Sequence, residues 1–191
     1  IVGYLGDQVK NYVTKNYNFK AEYVEQKELL GQAHAIYLAK DLIEGPTLIL
    51  FVDTLFEANL NVLQKEKCDG VIYVKEVEDP RRFGVTILNE KGHITRLIEK
   101  PDSMKDNLAV IGLYYVKDIQ RLMAAIKSLM DKNIQTKGEF YLADALQLMI
   151  DDGAVLRSES VDVWLDCGKP ETVLETNRYL LKHNMNNSEE V

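Results

Sequence analysis

The sequence predicts an α/β domain built on a mixed, mainly parallel sheet, and three observations carry that expectation. Thr47 to Val52 are apolar or β-branched without a break behind a Gly45-Pro46 stop, which is how a strand buried on both faces of a parallel sheet reads. A short strand at 21–24, a helix from Gln32 and that run give strand, helix and strand in succession, the opening of a parallel crossover unit. Asp53 and Asp166 each follow an apolar strand and precede an expected helix, the position where ligands collect in open α/β sheets. Aspartate is also a preferred N-cap residue, so both acids have a plain structural account as well.

Asp7 is a plausible cap for a short first helix carrying Val9, Tyr12 and Val13 at helical spacing, ended by residues 16–18. After the strand at 21–24, Gln26 enters a loop that closes at Gly31. The helix from Gln32 presents Ala33, Ile36, Tyr37 and Ile43 on one side until Gly45 and Pro46 stop it. Beyond Asp53, Leu60 and Leu63 mark another short helix, and Cys68-Asp69-Gly70 turns the chain into the strand VIYVKEV. Residues 85–88 and 94–98 form the arms of a hairpin joined by an Asn89 to Gly92 turn, where parallel pairing gives way to antiparallel.

Residues 108–116 are a further strand, and Asp118 caps a helix running through Met130. A second helix is expected over 139–150, with Leu142, Leu146 and Met149 on one face and Gly153 as its stop. A last strand region, 154–165, ends on Asp166. Pro170 then stands at the first position of a helix reaching about Lys182. One domain over 1–183 is expected, with a polar, disordered tail over 184–191.

Composition narrows the function classes. Thirty Asp and Glu against 23 Lys and Arg leave a net charge of -7, so the basic footprint of a nucleic-acid binder is missing. Handling an anionic substrate then requires local cations or a metal. Cys68 and Cys167 have neither CxxC spacing nor neighbouring histidine pairs, which argues against a disulfide framework or a zinc site and for a reducing, cytoplasmic setting. No window approaches the ~18 apolar residues of a membrane span. The opening IVGYLG reads like the tail of a buried strand, and upstream sequence is expected.

Seven blocks stand in a fixed order across almost the whole chain: GQAHAIYLA (31–39), VDTLF (52–56), DPRRFGV (79–85), IEKP (98–101), GLYYV (112–116), KGEFYLADALQ (137–147) and WLDCGKPETVLETNRYLL (164–181). Together they resemble the sugar nucleotidyltransferases, above all the glucose-1-phosphate thymidylyltransferase and uridylyltransferase group. The resemblance implies a Rossmann-like sheet of the nucleotide-diphospho-sugar transferase type flanked by helices. It implies partners as well: a nucleoside triphosphate, dTTP or UTP, and a sugar 1-phosphate, expected to be glucose 1-phosphate. It further implies Mg²⁺ and points to a homo-oligomer.

Carried over by position, the resemblance makes Asp53 and Asp166 the metal-binding acids and Lys100 the cation on the sugar phosphate. Gln26 and Gly31 become the base-recognition loop, in which the glutamine amide offers both donor and acceptor to a pyrimidine edge. Gly84 becomes a backbone contact near the sugar, and Glu99 and Glu139 the acids that take sugar hydroxyls. Asn107, Val110 and Gly112 fall on the segment lining the sugar pocket, and Trp164 walls the site beside Asp166. Each has an ordinary alternative. Thr136 and Glu139 make a capping box. Lys100, preceding Pro101, is expected to be extended in a solvated loop. Glu99 and Lys100 make an exposed charge pair. Gln26 is mere loop polarity, Gly31 an ordinary turn, and Trp164 core. His34, on a helix among alanines, reads as structural.

Two departures from the family pattern stand out. Members open with a strand, a glycine-rich loop of the form GGxGTRL and a PK motif, and this sequence has none of them. On that ground the chain is expected to be the C-terminal two-thirds or more of such an enzyme, N-terminally incomplete, which puts turnover by this chain alone in doubt. Val52 stands where the family has glycine before the metal-binding acid, stiffening the backbone there. The alternative function is a non-catalytic homologue that keeps the sugar-nucleotide pocket for regulation or assembly. A metal-dependent glycosyltransferase fits the EKP and KGE blocks less well.

Overall fold

The computed structural model describes residues 1–184 of the 191-residue chain. The expected disorder of the tail concerns residues that, from 185 onward, lie outside this range. Asn184 itself ends a helix.

The centre of the fold is β3 (Gly70–Glu76) beside β6 (Leu108–Val116). Alternate side chains of these strands serve two cores. Ile72, Val74, Val110, Tyr114 and Val116 face a helical layer made by α2 (Gln32–Tyr37), α3 (Ile119–Asp131) and α4 (Leu142–Asp151). Val71, Tyr73, Ile111 and Leu113 face the other way, against Val161, Phe56, Leu60, Leu63 and Trp164. That second layer is a two-stranded ribbon of β2 (Thr54–Glu57) and β8 (Val163–Asp166) together with a 3₁₀ turn over Leu60–Lys65. β3 and β6 are therefore buried on both faces, and the unbroken VIYV run of β3 is the sequence trace of that position.

Among the described residues the main sheet runs β5 (Ile94–Glu99), β4 (Gly84–Leu88), β6, β3, β7 (Leu156–Ser160), with β1 (Thr47–Leu50) also on β6. This is the expected mixed α/β architecture, with a different balance of pairings. Parallel pairing between named strands is confined to β3 and β7, whereas β1, β3 and β4 all pair antiparallel with β6.

The strand read as buried on both faces is the first correction. Burial in β1 alternates, and Leu48 and Leu50 are about half exposed. Among the described residues only one edge of β1 is paired, to residues 113–116 of β6. A continuous apolar run records side-chain type and cannot say how many faces are covered. Residues 21–24 form no strand. The backbone there makes a single parallel bridge, Val2 to Glu25. The helix α1 (Gly6–Asn16) forms without a side-chain cap from Asp7 and buries no residue.

Other expectations hold closely. The hairpin forms as β4 and β5, with Asn89 Oδ1 accepting from Lys91 N and His93 N in its turn. Asp118 caps α3 by accepting from Gln120 N at 3.0 Å and Arg121 N at 3.4 Å. Pro170 opens α5 (Pro170–Asn184). The region 154–165 is two strands rather than one: β7 pairs with β3 as far as Ser160, and β8, from Val163, pairs with β2 instead.

β6 also fixes where a ligand can enter. β1 occupies one edge of β6 from Leu113 to Val116, and β4 meets the same edge only at Ala109. Between them stands Gly112, with φ +82° and its carbonyl accepting from Phe51 N. A Cβ there would lie 3.1 Å from the Phe51 ring, so glycine suits both the backbone and the space. Two strands diverge from one edge at this point, and the gap between them is the topological switch point at which α/β sheets take ligands.

Candidate active site

The gap at Gly112 opens into a cavity of about 260 Å³ lined by Asp53, Gly84, Glu99, Lys100, Val110, Gly112, Trp164 and Asp166. Eight of the residues singled out in the sequence thus meet at one place. Gln26, Gly31 and Glu139 line a second, wider cavity of about 580 Å³. The two share Gln32, Phe51 and Asp53, so Asp53 stands on the boundary between them. Asn107 lines neither. Its amide donates to Glu76 Oε1 at 3.0 Å at the start of β6.

The acid pair is assembled by a ladder, not by caps. Asp53 is followed by β2 rather than by a helix, which removes the N-cap account of it. β2 pairs with β8 so that Thr54 lies opposite Asp166, and Cys167 N donates to Asp53 O at 2.7 Å. Two acids far apart in the chain become neighbours in this way. Asp166 Oδ1 accepts from Gly168 N at 2.8 Å. A Cβ placed on Gly168 would lie 2.9 Å from Asp166 Oδ1 and 3.4 Å from Asp53 Oδ2, so both carboxylates converge on the space above this glycine. Two carboxylates with no nitrogen or sulfur donor suit a hard cation such as Mg²⁺, which completes its shell with water and phosphate oxygens. Among the described residues no cluster of three or more His, Cys, Asp or Glu is present.

The opposite end of the cavity is drier. Glu99 closes β5 opposite Gly84, where a Cβ would come within 3.0 Å of Glu99 Oε2. Burial pushes its carboxyl up to about 7; Lys100 opposes the shift, while Asp144 and Glu139 add to it. Lys100 is not extended, contrary to the expectation set by Pro101. It adopts φ +46°, held by Lys100 N donating to Phe83 O and by Lys137 Nζ donating to Lys100 O at 3.2 Å. Its ammonium donates to Tyr141 Oη at 2.7 Å, and that bond is the main cause of the raised Lys100 pKa. The group is a fixed cation, part-buried rather than loosely solvated.

The capping-box account of Glu139 also falls. Thr136 and Glu139 exchange both backbone bonds around Lys137 and Gly138, each with positive φ, as in a two-residue hairpin turn. α4 starts only at Leu142. Gly31 has φ +107°, and a Cβ there would lie 2.5 Å from Phe140 O, so the close backbone approach that this glycine allows is made by the chain itself. Gln26 Nε2 donates to Gly31 O at 3.2 Å and lies 3.4 Å from His34 Nδ1, which ties the loop to α2. Trp164 is half-buried, with Nε1 3.4 Å from Thr54 Oγ1 and its ring edge-on to Phe83 at 5.0 Å.

Arg82, Tyr114, Tyr141 and Lys137 were not singled out from sequence. Arg82 Nη2 lies 3.5 Å from Asp166 Oδ2. The DPRRFGV block offered two adjacent arginines and nothing in the spacing to say which faces inward. Tyr114 sits in GLYYV, where strand alternation alone places it on the same face as Gly112.

Comparison with known proteins shows the family of the chain. The family model described as nucleotidyl transferase matches residues 3–183. The chain is 35% identical over 182 residues to the bifunctional protein GlmU of Methanocaldococcus jannaschii, covering 95% of this chain and 42% of that protein. To the UTP–glucose-1-phosphate uridylyltransferase AglF of Haloferax volcanii it is 30% identical over 179 residues, covering 90% of this chain and 72% of the relative. To the glucose-1-phosphate thymidylyltransferase of Streptomyces griseus it is 29% identical over 191 residues, covering 95% and 52%. The chain spans about half the length of most of these curated relatives. Among solved structures, the fold matches a nucleoside-diphosphate-sugar pyrophosphorylase from Vibrio cholerae with TM-score 0.77 at 18% identity, covering 91% of this chain and 76% of that one. It also matches a UDP-glucose pyrophosphorylase complexed with UDP-glucose, with TM-score 0.70 at 23% identity, covering 92% and 73%.

Proposed function

The chain belongs to the nucleotidyl transferase family, and from that premise we propose that the protein it represents joins a pyrimidine nucleoside triphosphate to a sugar 1-phosphate, with glucose 1-phosphate as the sugar. A phosphate oxygen of the sugar attacks the α-phosphorus in line, the bond to the bridging oxygen breaks, and pyrophosphate leaves. The observation that carries this reading is the place of Asp53, on the boundary between the cavity of Gln26 and Gly31 and the cavity of Glu99 and Lys100. A phosphate bridge between nucleoside and sugar has to cross that boundary.

In this reading Asp53 and Asp166 hold Mg²⁺, which when bound neutralises charge on the phosphate oxygens. The chain's own residues do the positioning on which phosphoryl-type transfer largely rests. Lys100, anchored by Tyr141, holds the sugar phosphate. Glu99, part-protonated near neutral pH, both donates to and accepts from sugar hydroxyls, with Gly84 and Gly112 leaving the ring its space. Trp164 and Phe83 wall the side beside the acids. Gln26 turns its amide to the base. The names of the relatives support both dTTP and UTP. Two free cysteines go with a cytoplasmic setting.

One observation favours the second reading, a non-catalytic module that binds sugar nucleotide. Val52, where the family pattern has glycine, is fully exposed on the rim of the wider cavity, and in this second reading its side chain obstructs the nucleoside's approach. Pyrophosphate release with Mg²⁺, glucose 1-phosphate and either UTP or dTTP separates the two, assayed on this chain and on the complete product of its gene. Release with one of the triphosphates is expected. Folded protein that binds the nucleoside-diphosphate sugar without releasing pyrophosphate would establish the module instead.

A further inference from the structure

The DPRRFGV turn treats its two arginines differently. Arg81 is consumed locally, with Nε donating to Asp79 Oδ1 at 2.8 Å and Nη2 to Asp79 Oδ2 at 2.7 Å. Arg82 points the other way, over the Phe83 ring at 5.4 Å, with Nη2 3.5 Å from Asp166 Oδ2. Asp166 Oδ1 accepts from Gly168 N, so Arg82 faces the other carboxylate oxygen, Oδ2. At 3.5 Å and with 46% of the Arg82 side chain exposed, this contact is loose by the standard of a charge-assisted bond. Loose, half-solvated ion pairs are worth about 0.2–1 kcal/mol and exchange readily.

We propose that Arg82 is the exchangeable counter-ion of the acid pair: it neutralises Asp166 until a divalent cation arrives with a polyphosphate, and then moves its guanidinium from the carboxylate to a phosphate oxygen. The proposal rests on the metal-binding reading of Asp53 and Asp166 given above. Its physical logic is competition followed by replacement. A bare cation has to displace Arg82 and leaves it without a partner. A cation bound to di- or triphosphate brings new anionic oxygens whose geometry matches the guanidinium fork. Arg82 therefore works against the metal alone and in favour of metal with phosphate, which makes it a positioning residue that sets the order of loading.

Trp164 supplies the readout. It is the sole tryptophan, it is two residues from Asp166 in the chain, and its ring meets Phe83 at 5.0 Å. Its fluorescence is followed while Mg²⁺ alone, and then Mg²⁺ with pyrophosphate, is titrated into wild type, Arg82→Gln, Arg82→Lys and Arg81→Gln. Arg82→Gln is expected to bind Mg²⁺ alone about two- to fivefold more tightly, the worth of an exposed ion pair, and Mg²⁺-pyrophosphate more weakly by at least as much. Arg82→Lys should restore the resistance to bare metal and only part of the pyrophosphate affinity, because it keeps the charge and loses the fork. Arg81→Gln should leave both titrations unchanged. If Arg82→Gln leaves both affinities as they were, or shifts them in the same direction, the counter-ion role is overturned while the metal site stands. If wild type shows no Mg²⁺ response with or without pyrophosphate, the metal-binding reading falls and this inference falls with it.

Discussion

The two ends of the cavity are built on opposite principles. At one end Asp53 and Asp166 reach into solvent-accessible space, presented by a two-stranded ribbon and balanced by a half-exposed arginine. At the other end Glu99, Lys100 and Tyr141 are drawn in among the sheet and α4, and burial dominates the state of the Glu99 carboxyl. The open end suits ligands that bring their own charge and water, such as a hydrated cation with phosphates. The closed end suits neutral hydroxyls, whose recognition needs desolvated and fixed partners. One small cavity thus separates exchange from recognition.

Substitutions at the two ends should therefore fail in different ways. The largest effect is expected from Asp166→Asn, which keeps an oxygen to accept from Gly168 N but removes the negative charge proposed to face the cation. Turnover should fall by about 10³-fold, on the order of 4 kcal/mol, with thermal stability nearly unchanged. Normal turnover in that variant would dissolve the distinction at its open end. Next comes Lys100→Met, expected to lower kcat/KM for the sugar phosphate by about 10²-fold while the Mg²⁺ response of Trp164 stays intact. A loss of metal response there would show the two ends to be one network.

Glu99 sharpens the contrast through pH. Its carboxyl binds its proton more tightly folded, up to about 7, than at the ordinary value of 4.5 in the unfolded chain. The native state therefore holds more protons across that interval, and stability falls as pH rises from about 4.5 to about 7. Glu99→Gln should remove this slope, and at pH 8 it should gain on the order of 1–2 kcal/mol over wild type, read as a higher Tm, at the expense of sugar binding. Equal Tm–pH profiles for the two proteins would refute a desolvated Glu99. The smallest effect is expected from Val52→Gly. Removing a fully exposed side chain from the rim should improve nucleotide binding a few-fold, offset by added backbone freedom. Tighter binding by the wild-type valine would show that Val52 makes a contact rather than an obstruction.

How far the sequence spoke for these regions depended on the range of the forces involved. The hairpin of β4 and β5, the Asp118 cap of α3 and the Pro170 start of α5 are local, and each was legible from a few adjacent residues. That Glu99, Lys100, Asp53 and Asp166 line one cavity was legible through the ordered family blocks. The strand directly after Asp53 was not legible, because β2 exists only by pairing with β8 across most of the chain. The solvent exposure of β1 was hidden for a related reason: Leu48 and Leu50 look like core residues until the strand is placed at an edge. Arg82 was invisible because two adjacent arginines differ only in which acid the fold puts within reach. Glu139 misled through a capping pattern that a turn with two left-handed residues can also carry.

The ribbon that joins β2 to β8 has a consequence for how the protein is made. Asp53 is synthesised well before Asp166, and neither acid has its neighbour until β8 has docked against Thr54 to Glu57. A ribosome that has finished α4 has produced most of the described sheet and helices, yet only one of the two acids. Such a nascent chain lacks the acid pair, so the metal–nucleotide affinity proposed for it is expected to appear only once β8 has docked.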